Sequence, residues 1–161
     1  NTLDKVNDHY LQINSDYIGC VDDTCLATGE LLPVKDTPFD FNKRKRIGQD
    51  LEADHIQLKN AFGYDHSFVL NGTENQLTLE EPVSGRRLII STTAPVVQVY
   101  TGNFLKDGCI GKAGRVYENR EGVALETQLM PNAINTEENP STILRKGDKF
   151  ESNTKYVFEI M

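Results

Sequence analysis

Short alternating or continuous apolar runs recur along the chain, separated by Gly, Asn, Asp and Pro. Each run has the length of a strand and is rich in Val, Ile, Thr, Tyr or Phe, the residues that favour β-structure. The pattern predicts strands over His9–Asn14, Leu31–Val34, His66–Leu70, Gln76–Glu80, Arg87–Thr92, Val96–Thr101, Val123–Met130 and Tyr156–Ile160. Only Ile47–Asp54 has a helical pattern, about two turns long. The expected fold is therefore all-β and mostly antiparallel, a sandwich or barrel-like stack.

The strand Val123–Met130 carries the most informative acidic residue, Glu126. With a period of two, Ala124, Gln128 and Met130 lie on its face, so no lysine or arginine neighbours it there. One interpretation is the exposed face of an ordinary strand, because unpaired carboxylates are mostly exposed. The other is a carboxylate on a rigid element facing a cleft, where partial burial would tune it as a general base.

Other strands carry further candidate side chains. His9 shares a face with Leu11 and Ile13, which is typical of a hydrogen-bonded core histidine, although in a pocket it would be a natural proton donor. Asp65 begins a strand, where turn hydrogen bonding is its ordinary role. Gln98 lies among β-branched residues and must find partners, a ligand hydroxyl being one possibility. His66 shares its face with aromatic residues and is expected to be packed rather than catalytic.

Composition narrows the class of protein. A chain of 161 residues supports one domain with a real core and is too short to argue for two. Its 17 basic and 24 acidic residues give a net charge of −7, which disfavours nucleic acid and anionic membrane as partners. No apolar run is long enough for a membrane span.

The cysteines indicate neither a disulfide framework nor a metal centre. Cys20 and Cys25 have no second Cys/His pair downstream, and Cys109 stands apart from them. We therefore expect reduced thiols in a cytoplasmic protein, with no bound metal.

Five motifs occur in the order found in one family. They are Asp8-His9, Thr37-Pro38-Phe39-Asp40-Phe41, Gly63-Tyr64-Asp65-His66, Gln98-Val-Tyr-Thr-Gly-Asn-Phe104, and Leu125-Glu126-Thr127-Gln128 with Pro131-Asn132-Ala133-Ile134-Asn135. With the closing Leu144–Asp148 and Tyr156–Ile160, this series resembles the aldose 1-epimerase (galactose mutarotase) family. The resemblance covers residues 1–161 as the C-terminal portion of a single family domain, and it implies an antiparallel β-supersandwich.

The resemblance also implies a function and roles for particular residues. The expected reaction interconverts the α and β anomers of hexoses such as galactose and glucose by opening and reclosing the sugar ring, which needs one acid and one base and no metal or organic cofactor. Glu126 would match the general base and His9 the general acid, while Asp65 and Gln98 would hold sugar hydroxyls. His66 and Cys109 inherit no role, and Asn132, where the family often has Asp, is expected to be a turn substitution.

The family's earlier half, which carries a further arginine and a second histidine, has no counterpart in these residues. We therefore expect the N-terminal half of the domain as a partner, on the same or a separate polypeptide, since a divided sheet exposes strand edges and apolar surface. A catalytically silent carbohydrate-binding or interaction module on the same fold is the alternative. An epimerase for phosphorylated hexoses would need a basic pocket, which only Lys43–Arg46 and Arg86-Arg87 could supply.

Overall fold

The computed structural model describes residues 5–106, 110–112, 114–136 and 142–161. Its strands are β1 (Tyr10–Ile13), β2 (Ser15–Val21), β3 (Ala27–Pro33), β4 (Lys45–Arg46), β5 (Asp65–Leu70), β6 (Leu77–Glu81), β7 (Arg86–Thr92), β8 (Val96–Tyr100), β9 (Ala124–Gln128) and β10 (Thr154–Ile160). Helix α1 covers Ile56–Asn60, and short 3-10 turns cover Val6–Asp8, Ile47–Gln49 and Ala133–Asn135.

The strands form two five-stranded sheets. The first sheet has the order β10-β7-β6-β1-β4 and the second the order β3-β2-β5-β8-β9. Neighbouring strands run antiparallel in both sheets. The predicted antiparallel all-β fold is therefore confirmed.

The main hydrophobic core draws side chains from both sheets, because alternate residues of each strand point inward. Phe39 and Phe41, from the segment between β3 and β4, are fully buried in the same core and contact Tyr64 and Phe68 edge-on or at a tilt. The inward residues from the sheets are Leu11, Ile13, Leu77 and Ile90 of the first and Ile18, Phe68, Val97 and Val99 of the second.

Two predictions about local structure need correction. Ile47–Asp54 was expected to be a helix, but it forms only the 3-10 turn Ile47–Gln49, and the α-helix starts later, after His55. The His55 ring nitrogen accepts a hydrogen bond from the Gln57 N–H and so caps the helix where it begins. The strand β2 was missed, because β-bulges interrupt its alternation at both ends.

The basic run Lys43–Arg46 is largely committed to partners within the fold. Arg44 pairs with Glu80, Lys45 with Asp50 and Arg46 with Asp8. These positive charges are therefore already balanced, which argues against a phosphate pocket at this run.

The described residues contain neither a helix that could cross a membrane nor a cluster of side chains that could hold a metal ion. No helix among them is both long and apolar enough to cross a membrane. Within the same ranges no group of three or more His, Cys, Asp or Glu side chains is placed to hold a metal ion. Cys20 and Cys25 are free thiols, and Cys109 lies outside the described residues.

Candidate functional site

Three of the predicted site residues lie on neighbouring strands of the second sheet. Gln98 on β8 is directly opposite Glu126 on β9 and Ser67 on β5. Asp65 is two residues before Ser67, so it lies on the same side of the sheet. Since Val97 and Val99 point into the core, this polar row lies on the side of the second sheet that faces away from it.

Hydrogen bonds tie part of this row together. The Gln98 amide nitrogen donates to Asp65 Oδ1 over 2.7 Å, and the Ser67 hydroxyl donates to Gln98 Oε1. The amide of Gln98 is thereby held with its nitrogen toward Asp65 and its oxygen toward Ser67. Two fixed bonds of this kind hold the polar groups in place before any ligand arrives.

An open cavity of about 450 Å³ lies over these residues. Asp65, Gln98 and Glu126 line it together with Tyr100, Phe104, Gln128 and Pro131. A smaller hollow of about 70 Å³ adjoins it and shares Asp65, Gln98 and Pro131. The volume is in the range of small-molecule sites, and the lining offers carboxylate and amide groups that suit a neutral, hydroxyl-rich ligand.

Glycine at position 19 leaves room for the smaller hollow. A Cβ built there would lie 3.2 Å from Met130 Sδ and 3.8 Å from Ser67 Cβ. Any side chain on this residue of β2 would therefore project toward Met130 and Ser67, which line the smaller hollow.

Glu126 sits in the middle of β9 and is exposed. Both sequence interpretations describe part of its setting, because the side chain is open to solvent and also borders the cavity. Its backbone is held by the antiparallel pairing with β8, so the carboxylate projects from a rigid element. A base at the open mouth of a cavity can exchange protons with both a ligand and water.

Asp65 is the more buried carboxylate of the pair. Burial raises its pKa above the ordinary value, and the hydrogen bond from Gln98 offsets only part of that rise. The fold therefore holds this carboxylate in a partly dry position on the floor of the cavity.

His9 is not part of this cavity, and the prediction that it shares one hollow with Glu126 is wrong. It precedes β1 of the first sheet and lines a separate cavity of about 360 Å³, with Leu79, Arg86 and Phe158. The two cavities have no lining residue in common. The alternation correctly placed His9 on the face of Leu11. That face of the first sheet points toward the core, whereas Glu126 lies on the face of the second sheet that points away from the core.

His66 is fully buried, as its aromatic neighbours predicted. Its Nε2 lies 3.2 Å from Gln57 Oε1, and Phe39 contacts the ring edge-on. Burial, together with the nearby charge of His55, lowers the pKa of His66 to about 3. A histidine that stays neutral inside the core has a packing role, which agrees with the absence of a catalytic assignment.

Sequence reasoning missed several lining residues. Gln128 was placed on the face of Glu126 but was given no site role. Ser67 and Tyr100 have the same parity as Asp65 and Gln98, so extending the period-two argument would have found them. Phe104 lies beyond the end of β8, where alternation gives no signal. Asn132 takes a left-handed backbone conformation (φ 62°), and its amide donates to the Ala27 carbonyl, which confirms the turn role expected for it.

Comparisons with known proteins agree with this fold. A family model described as aldose 1-epimerase matches residues 1–157. The galactose mutarotase of Homo sapiens is 38% identical over 159 residues, covering 97% of this chain and 45% of that protein. The aldose 1-epimerase of Escherichia coli is 35% identical over 159 residues, covering 95% of this chain and 45% of that protein.

Solved structures give the same result. An aldose epimerase homologue from C. elegans superposes with a TM-score of 0.86 at 30% identity, covering 97% of this chain and 47% of that one. The galactose 1-epimerase of Lactobacillus acidophilus gives a TM-score of 0.75 at 31% identity, covering 97% of this chain and 45% of that one. The chain spans about half the length of the curated relatives that it matches. With the family model matched along nearly its whole length, the chain belongs to the aldose 1-epimerase family.

Proposed function

We propose that the protein containing these residues is an aldose 1-epimerase that interconverts the α and β anomers of a free hexose such as galactose or glucose. The observation that supports it most is the convergence of Asp65, Gln98 and Glu126 on one sheet face around a cavity of about 450 Å³. The names of the relatives, galactose mutarotase and aldose 1-epimerase, point the same way.

In this proposal Glu126 is the general base. It takes the proton from the anomeric hydroxyl as the C1–O1 bond becomes a carbonyl and the C1–O5 bond breaks, and a general acid protonates O5. Rotation about C1–C2 and reclosure, with the acid and base roles reversed, then give the other anomer. Asp65 and Gln98 hold sugar hydroxyls, since a carboxylate accepts and an amide both donates and accepts.

We place the general acid outside the described cavity, because histidine is the side chain that titrates nearest to neutral pH and none is among the described lining residues. We propose that the N-terminal half of the domain supplies it, either from the same polypeptide or from a separate chain. An exposed apolar surface on the core-facing side of the first sheet supports this: Tyr156, Phe158 and Ile160 on the edge strand β10 are 48%, 78% and 75% exposed. Further polypeptide covering that surface would remove a large unfavourable exposure.

We further propose a cytoplasmic location. The free thiols of Cys20 and Cys25 support it, because reduced cysteines persist in reducing compartments.

Polarimetry tests the proposed activity. Freshly dissolved α-D-galactose changes its optical rotation slowly in buffer, and the complete polypeptide should accelerate that change in proportion to its concentration. Residues 1–161 alone should stay at the uncatalysed rate. No acceleration by the complete polypeptide would contradict the proposal, and full activity of residues 1–161 alone would contradict the need for a partner half.

A carbohydrate-binding or interaction module without catalysis is the alternative to this proposal. Titration calorimetry with galactose separates the two. Binding together with accelerated mutarotation identifies the enzyme, whereas binding at the uncatalysed rate of mutarotation identifies the silent module.

A further inference from the structure

An aromatic side chain lines the cavity and has no role in the hydrogen bonds that hold its polar groups. Phe104 lines the cavity beside Tyr100, and 49% of its surface is exposed. Other phenylalanines of the chain are also exposed, but Phe104 is the one among the described lining residues of the polar cavity.

Phe104 is held in place by its neighbours. Its backbone N–H donates to the Tyr100 hydroxyl over 3.0 Å. The Phe62 ring meets it edge-on, with the centroids 5.4 Å apart and the planes at 68°. This is a favourable aromatic geometry, so the ring of Phe104 is supported on the side of Phe62.

A guanidinium clamp supports the two segments that carry these rings. Arg120 Nη1 donates to the Thr101 hydroxyl over 3.2 Å and also to Asn103 Oδ1, while Nη2 donates to the Phe62 carbonyl. Asn103, which precedes Phe104, is itself buried and donates to the Tyr64 carbonyl over 3.2 Å. The clamp therefore joins the turn before Phe104 to the loop of Phe62.

We propose that Phe104 is a stacking platform for the apolar C–H face of the hexose. A pyranose has a rim of hydroxyls and two faces of C–H groups, so a complete site needs polar groups for the rim and an apolar surface for a face. Asp65, Gln98 and Glu126 supply the first, and Phe104 supplies the second. This inference rests on the proposed function and adds a sugar-positioning residue to it.

The chain offers a matched control. Phe62 forms the same ring pair but lines a different cavity, with Leu51 and Arg120, and does not border the polar one. Leucine at either position removes one ring and disturbs the same edge-on pair. Only the substitution at residue 104 removes the surface that would touch the sugar.

Mutarotation kinetics of the complete polypeptide test the platform. A stacking contact is made equally in the ground and transition states, so Phe104→Leu should raise the KM for galactose roughly tenfold with kcat within about twofold. Phe104→Tyr should restore the KM, and Phe62→Leu should change it by less than about twofold. An unchanged KM in Phe104→Leu, or an equal rise in both leucine variants, overturns the inference.

Saturation-transfer NMR provides a measurement that depends on neither turnover nor a folded variant. In otherwise deuterated protein with protonated phenylalanine rings, irradiation of those ring protons should transfer saturation to the ring C–H protons of galactose, because Phe104 is the phenylalanine among the described lining residues. Absence of transfer in the presence of bound galactose overturns the platform. Transfer without any mutarotation would retain the platform and instead refute the proposed activity, so the two failures are distinguishable.

Discussion

Replacing Asp65 with asparagine removes one negative charge from the cavity floor and leaves the shape of the side chain nearly unchanged. The carbonyl oxygen of the introduced amide can still accept the hydrogen bond that Gln98 donates to Asp65 over 2.7 Å. What the variant loses is a charged acceptor for a sugar hydroxyl. A hydrogen bond to a charged group contributes about 1.5–3 kcal/mol, against about 1 kcal/mol for a neutral pair.

The difference between a charged and a neutral hydrogen bond sets the expected effect of Asp65→Asn on sugar binding. A loss of about 0.5–2 kcal/mol corresponds to a rise of roughly 2- to 30-fold in the KM for galactose. Although the variant should bind the sugar more weakly, its fold should be more stable than that of the parent. Burial raises the pKa of Asp65 above its ordinary value, with Gln98 offsetting only part of the rise, so ionisation of this group is disfavoured in the folded state. Its contribution to stability is present below its unfolded pKa and is lost as the pH rises through the folded pKa.

Asp65→Asn should therefore weaken sugar binding and, at pH 7, raise the midpoint of thermal unfolding. The assays are polarimetric kinetics across galactose concentrations and calorimetric melting of the complete polypeptide. Asp16→Asn is the control, since Asp16 is an exposed residue of β2 in the same sheet and does not line the cavity. A KM within twofold of the parent would refute the assignment of Asp65 as a hydroxyl acceptor.

Two predictions concern stability. Phe68 is fully buried and contacts Phe41, so Phe68→Ala should lower the free energy of unfolding by about 3–5 kcal/mol in urea denaturation. Glu80, whose side chain is 8% exposed, receives hydrogen bonds from Arg44 Nε at 2.5 Å and Arg87 Nε at 3.0 Å, so Glu80→Gln should cost about 2 kcal/mol at pH 7.

The pH dependence of the second prediction follows from the pKa. Burial pulls the pKa of Glu80 upward, but the hydrogen bonds and charges of Arg44 and Arg87 outweigh it and hold the pKa below the ordinary value. The stabilisation is thus present above the unfolded pKa and lost as the pH falls through the folded one. The difference in free energy of unfolding between parent and Glu80→Gln should shrink in acid, and a constant difference down to about pH 3 would refute the pairing.

For Phe68→Ala, a loss below about 1 kcal/mol would contradict close packing around that ring.

The strands could largely be predicted from sequence because alternation survives in most of them. The run Val96–Thr101 was placed within one residue of β8 (Val96–Tyr100). Bulged β2 was missed because two register shifts hide its period. The helix was misplaced because Ile47–Asp54 has a helical apolar pattern. In the fold, Asp50 of this segment forms an ion pair with Lys45, and the helix begins after its N-cap, His55.

Side-chain alternation along single strands could predict one feature of the site and not another. Period two correctly placed Glu126 and Gln128 on one face of their strand, since side-chain parity is a local property, and both line the cavity. Which strands lie side by side is a long-range property, and for this reason the prediction that His9 shares a cavity with Glu126 was wrong. Its strand pairs with β6 in the first sheet, whereas β5, β8 and β9 are neighbours in the second. A histidine and a glutamate with plausible chemistry can thus lie in different sheets.

The role of Glu126 as the general base is the central claim, and one kinetic comparison tests it most directly. The kcat for galactose mutarotation is measured for the complete polypeptide with Glu126→Gln and with Glu30→Gln, an equal change of charge at an exposed residue of β3 in the same sheet. Loss of a general base should lower kcat by about 10²-fold or more in the first variant and leave the second near the parent. A Glu126→Gln protein that keeps most of its kcat would contradict the account.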